Sequence, residues 1–199
     1  MASERRVIVL AEDGTAELGH IEDLAIRVQV ETGTLLDRGP SETRPSGIVR
    51  HAWRERRPYA HATATWMILT INSEIPACWL EILCDDRLLT DRIDVLARET
   101  LRAPTWQQLE AAANASPRPP GAISRLALGA PPAARAAVLQ AVQAGLRASS
   151  PDDRMDAALA AVSANLGEAR TAVEQAMKSE ADDEVLATLQ WAAEALTEA

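Results

Sequence analysis

The stretch PDDRMDAALAAVSANL, Pro151 to Leu166, overlays ADDEVLATLQWAAEAL, Ala181 to Leu196, at an offset of thirty residues. Met155, Leu159, Val162 and Leu166 recur at i, i+4, i+7 and i+11 in the first copy, and Val185, Leu189, Ala192 and Leu196 repeat that spacing in the second. Each pattern predicts a helix with one buried stripe. Ser150 stands where an N-cap is wanted, Pro151 at the first helical position, and Asp152 and Asp153 where the helix dipole favours acid. The opening of the first copy, Asp153-Arg154-Met155-Asp156, also occurs sixty-two residues upstream as Asp91-Arg92-Ile93-Asp94, at the head of a third stripe, Ile93, Leu96, Ala97 and Leu101.

A second echo, at an offset of twenty-eight, joins Ile75-Pro76-Ala77-Cys78-Trp79-Leu80 to Ala103-Pro104-Thr105-Trp106. Thr105 with Gln108 makes a capping box, while Gly129-Ala130-Pro131-Pro132 and Gly167 punctuate the helices around them. Loops this short force antiparallel neighbours. A hairpin of about thirty residues cannot bury both its faces alone and must stack on copies of itself. In these features the chain from about residue 75 to 199 resembles the HEAT-like and leucine-rich-repeat-variant helical repeat proteins. The resemblance rests on the acid-arginine openings at Asp91-Arg92 and Asp153-Arg154 and on the proline-led helices at Pro76 and Pro104. The unit around Pro120 to Leu128 departs from it, lacking the acid-arginine pair. The family implies a short right-handed α-solenoid used as a binding surface, and brings no catalytic residue with it.

Residues 1–72 read differently, as a small β-containing segment. Arg6 to Ala11 alternates as a strand, with Asp13-Gly14 as a hairpin signal, and Leu24, Ile26, Val28 and Val30 alternate with polar neighbours as a second strand. Residues 32–47, TGTLLDRGPSETRPSG, have the Pro, Gly and Ser content of a loop. Thr63 to Ile71 suits either a third strand or the start of a first solenoid helix near Tyr59. The expected fold is therefore mainly α: a β-containing segment, then a helical repeat domain over 75–199.

At 199 residues with 47% hydrophobic content the chain can build its own core. It has no run of eighteen apolar residues, and its start leads directly into a strand pattern, so a cytoplasmic protein without a membrane span is expected. Cys78 and Cys84 fall in one expected helix, roughly 120° apart around its axis. That spacing suits neither a helical metal pair nor a redox motif. Net charge is -9, with nine arginines against ten acids up to Thr70 and eleven basic against nineteen acidic residues after it. Such a balance argues against nucleic acid and anionic membranes and for a basic protein partner.

No HExxH, Gly-x-Ser-x-Gly or phosphate-cradling glycine loop occurs, and the three histidines, His20, His51 and His61, stand in no catalytic pattern. Neither metal nor cofactor is implied. The expected function is a non-enzymatic protein-interaction module: an adaptor, an assembly subunit, or an inhibitor of immunity type. The local exception is Thr43 to His61, TRPSGIVRHAWRERRPYAH, where Arg44, Arg50, Arg54, Arg56 and Arg57 meet only Glu55, with Trp53 and Tyr59 interleaved. Arginine forks among aromatics suit phosphate, carboxylate or nucleic acid, which makes that the alternative function; equally they suit internal pairing with the acidic helices. Trp191 points away from its helix's stripe and is a candidate partner or homodimer contact.

Overall fold

The computed structural model describes residues 4–10, 17–44, 47–56, 65–72 and 77–197, and the chain divides between Pro104 and Thr105 into two compact units. In the first unit the strands are β1 (Glu4–Val9), β2 (Leu36–Arg38), β3 (Glu42–Thr43), β4 (Val49–Glu55), β5 (Trp66–Asn72) and β6 (Ala77–Cys84). They form an antiparallel sheet in the order β1-β6-β5-β4-β2, with β3 pairing the other half of β4. The edge beside β4 is broken at Gly39-Pro40, where the proline has no N–H to donate; Gly39 keeps the chain in place by donating to the Ala52 carbonyl at 2.8 Å.

Two helices, α1 (Glu17–Thr32) and α2 (Arg87–Leu101), lie side by side on one face of that sheet. Side chains alternate across a strand, so Ile8, Trp53, Met67, Leu69, Leu80 and Ile82 all point to the helices, where they meet Ile21, Leu24 and Val28 of α1 and Ile93, Leu96 and Leu101 of α2. Arg27 ties the helices together, donating to Thr100 Oγ1 at 2.7 Å and Glu99 at 3.2 Å, and Arg92 returns the contact to Glu31.

The second unit, Thr105–Ala199, holds α3 (Trp106–Ala113), α4 (Ala122–Gly129), α5 (Arg135–Gly145), α6 (Pro151–Ser163), α7 (Arg170–Ser179) and α8 (Asp183–Ala195); short 3-10 turns lead into α5 and α7. The alternate helices α4, α6 and α8 pack in succession, and α3, α5 and α7 pack against them. Gly145 permits a close approach, since a Cβ there would stand 2.4 Å from Ile123 Cδ1 and 2.8 Å from Ala157 Cβ. Asp156 of α6 is 7% exposed and caps α4 from outside. Its carboxylate accepts from Ile123 N at 2.8 Å and Ser124 N at 3.1 Å, at a helix start whose own N-cap, Gly121, has no side chain to offer. Burial pushes the Asp156 carboxyl above its usual range, and the Ser124 hydroxyl and the two backbone N–H groups act against that shift.

The expected mainly α chain, a right-handed solenoid of hairpins after a small β segment, is corrected: the fold is mixed α/β, with a six-stranded antiparallel sheet among the described residues. Residues 32–47, expected as a loop, hold strands β2 and β3, and β4 has no counterpart in the expectation; two further stretches form the other kind of element. Leu24, Ile26, Val28 and Val30 alternate, yet they lie in α1, whose buried stripe is Ile21, Leu24, Ala25 and Val28; Ile26 and Val30 are 61% and 79% exposed. Cys78 to Cys84, read as helix, is strand β6. Apart from Glu81 both its faces are apolar, and a short, mostly apolar run does not distinguish strand from helix by period. The two cysteines, which form no disulfide, consequently share a face of the strand, six residues apart.

The stripe Ile93, Leu96, Ala97 and Leu101 is buried as read, but beneath it is the sheet and not another hairpin. The echo between Trp79 and Trp106 likewise pairs a strand residue with the first residue of a helix. In α6 the expected stripe is displaced. Met155, Leu159 and Val162 are half-buried, while Ala157, Ala158, Ala160 and Ala161 are buried, because the helix packs on neighbours through its alanines. The capping box at Thr105 and Gln108 and the Ser150 cap are both formed. Among the described residues no helix is long and apolar enough to cross a membrane.

Candidate binding face

Strand β4 sorts the arginine-rich stretch by alternation. Trp53 and His51 point to α1 and α2; Arg50, Ala52 and Arg54 point to the opposite face. Trp53 is 2% exposed in the core, where Arg38 lies 5.9 Å from its ring centroid, so it is a packing residue. Arg56 follows the strand and is held by Asp37 of β2, its Nε and Nη2 donating to the two carboxylate oxygens at 2.5 and 2.8 Å. Arg44 donates to Glu42 at 3.3 Å. Arg57 and Tyr59 lie outside the described residues. Trp191 is 49% exposed on α8 in the second unit.

The cross-strand register then assembles the face from residues far apart in sequence. One row runs Asp37, Arg54, Trp66, Leu83 and Arg5; the next runs Ala52, Ile68, Glu81 and Val7; the third runs Glu42, Arg50, Thr70, Trp79 and Val9. Arg54 lies over the Trp66 ring, 4.8 Å from its centroid, the arrangement in which a guanidinium is drawn to the negative face of an indole. Burial deepens from row to row: Arg54 is exposed, Trp66, Ile68 and Trp79 are half-buried, and Thr70 is fully buried.

The cations of this face fall into two groups. Arg5 is neutralised by Glu81, Arg56 by Asp37 and Arg44 by Glu42. Arg50 and Arg54 make no ion pair among the described residues, although Glu42 is the register neighbour of Arg50. In the third row the Nε of Arg50, the hydroxyl of Thr70 and the indole Nε1 of Trp79 are all buried and all lack a hydrogen-bond partner among the described residues. A buried donor without a partner costs about 1–3 kcal/mol, so three in one row are a concentrated deficit.

Trp66, Thr70 and Trp79 were not legible as site residues. Their place beside Arg50 and Arg54 follows from strand register, and no local motif encodes it. A recess lies in the helical unit, a cleft of about 600 Å³ lined by Gln143, Leu146, Arg147, Arg154, Gln175 and Glu180 among others. Its floor is structural: Arg154 donates Nε and Nη2 to Glu180 at 2.7 and 3.0 Å, and its Nη1 to the carbonyls of Ala148 and Ser149. That guanidinium is fully engaged and holds the start of α6 to the segment after α7. No cluster of three metal-ligating side chains occurs among the described residues. Comparison with protein-family models, with curated proteins and with solved structures finds no match to this chain.

Proposed function

We propose that the protein is a non-enzymatic protein-interaction module that holds its partner on the sheet face opposite α1 and α2. The observation that carries this reading is the pairing of two unneutralised arginines, Arg50 and Arg54, with two indoles, Trp66 and Trp79, on a face whose other described cations are spent on carboxylates. Arginine and tryptophan dominate the energetics of protein interfaces because each combines a large contact area with a directed polar group. Two buried cysteines that form no disulfide suit a reducing compartment, and we place the protein in the cytoplasm.

A net charge of -9 favours a basic partner at long range, whereas the local cations call for acceptor groups at the point of contact. Contact chemistry decides what is held, so the segment seated on the face is taken to be acidic. The stack of Arg54 on Trp66 supports a second reading, nucleic-acid binding, because bases stack on such platforms. Asp37, Glu42 and Glu81 on the same face weigh against a polyanion. Affinity capture from cell extract, with and without nuclease, separates the two. One stoichiometric protein retained by the wild type after nuclease, and lost from the Arg54→Ala, Trp66→Ala double variant, is expected. Recovery of nuclease-sensitive material alone transfers the face to nucleic acid.

A further inference from the structure

We infer that the row Arg50, Thr70 and Trp79 seats a carboxylate, carried by an extended acidic segment of a partner protein lying along β4. This rests on the binding-face reading above and narrows it to one ligand chemistry. The three residues are direct cross-strand neighbours on β4, β5 and β6. Adjacent strands lie about 4.8 Å apart, so the two long side chains flank the short one across about 10 Å and can converge above it. Thr70 is 0% exposed and its hydroxyl has no partner; Arg50 Nε and Trp79 Nε1 are buried and unpartnered beside it. All three groups donate, and a single acceptor group with two oxygens satisfies such a set.

Charge selects the acceptor. The row holds one guanidinium, with Glu42 across from it on β3 and Glu81 in the adjoining row. A carboxylate monoanion balances that single cation, whereas a phosphate dianion would leave excess negative charge in a protein already at -9.

Geometry selects an extended segment over a free acid. Arg54 stands four residues beyond Arg50 on the same face of β4, about 13 Å along the strand. An extended peptide has the same rise and the same alternation, so acids at its positions i and i+4 meet both arginines. Its residue i+2 then falls over Ala52 and Ile68, which form an apolar step between them.

The test is titration calorimetry on the full chain with the N-acetylated, C-amidated pentapeptide Glu-Ser-Val-Ser-Glu, with sodium acetate and inorganic phosphate as comparisons. Saturable binding of the peptide is expected, weakened at least tenfold by Arg50→Gln and severalfold by Thr70→Val. In the absence of peptide the Thr70→Val chain should melt at a higher temperature than wild type, because the substitution removes an unpartnered buried hydroxyl without changing its shape. Acetate binding as tightly as the peptide overturns the segment, and tighter phosphate binding overturns the carboxylate. Unchanged affinity in Arg50→Gln, or a Thr70→Val chain that melts no higher than wild type, overturns the seat. A captured protein that is lost with Arg54→Ala, Trp66→Ala but retained by Arg50→Gln and Thr70→Val leaves the binding face standing and removes only the seat.

Discussion

The two faces of one sheet carry the same kinds of residue to opposite ends. Toward α1 and α2, Trp53 is buried among Met67, Ile82 and Leu24, and Arg38 extends over it to reach Glu22 at 2.6 Å. On the reverse, Trp66 is half-buried under Arg54, which reaches no carboxylate among the described residues. Both sides thus present a tryptophan with an arginine over its ring. The difference lies in what completes each set: on one side packed aliphatics and an ion pair, on the other, among the described residues, the ring alone without a carboxylate. An arginine-aromatic pair is therefore a stability element or a binding element according to its surroundings, and strand alternation assigns the role one residue at a time.

Trp53→Ala should separate the two faces by the largest margin. Emptying a fully packed indole site costs about 3–5 kcal/mol, and chemical denaturation of the first unit should register a loss of that order. Trp66→Ala, the same change on the other face, should cost about 1 kcal/mol or less while abolishing partner capture. Equal losses from the two would erase the distinction. Thr70→Val should move stability the other way, with a gain of about 1 kcal/mol, where the same change at a satisfied threonine would be destabilising.

A smaller effect comes from His51, on the helix side of β4, whose Nδ1 meets Ser41 Oγ at 2.7 Å. Burial first, and then the charge of Arg38, lower its pKa from the ordinary 6.5. A depressed pKa means the unfolded chain takes up the proton more readily, so the contribution to stability is present above pH 6.5 and is lost as pH falls through the folded value. Denaturation midpoints should decline over that window in the wild type, and His51→Asn should flatten the decline.

Much of the helical unit was legible because its signals are local. The capping box at Thr105 and Gln108, the Ser150-Pro151 start of α6 and the stripe Val185, Leu189 and Ala192 of α8 each depend on residues within a few turns. Sequence and structure part where tertiary context overrides local pattern. Ile26 and Val30 are β-branched and exposed in α1, which disguised its true stripe as alternation. Cys78 to Cys84 is apolar on both faces except at Glu81, and one acid in a short run is too little alternation to mark a strand.

The binding face was half visible. Arg50 and Arg54 stand out by composition, but Trp53, their neighbour in sequence, is sent to the core by alternation, and Trp66, Thr70 and Trp79 join only through pairing register across β4, β5 and β6. Register is a property of the folded sheet, and one sequence contains no direct trace of it.

The five tryptophans give the most direct test, since their indole N–H resonances are separately observable by NMR and each occupies a distinct place in the fold. Mixing the full chain with its captured partner should shift the resonances of Trp66 and Trp79 while those of Trp53, Trp106 and Trp191 stay in place. A shift confined to Trp191, with Trp66 and Trp79 unmoved, would contradict the assignment of the sheet face as the binding site and move it to α8.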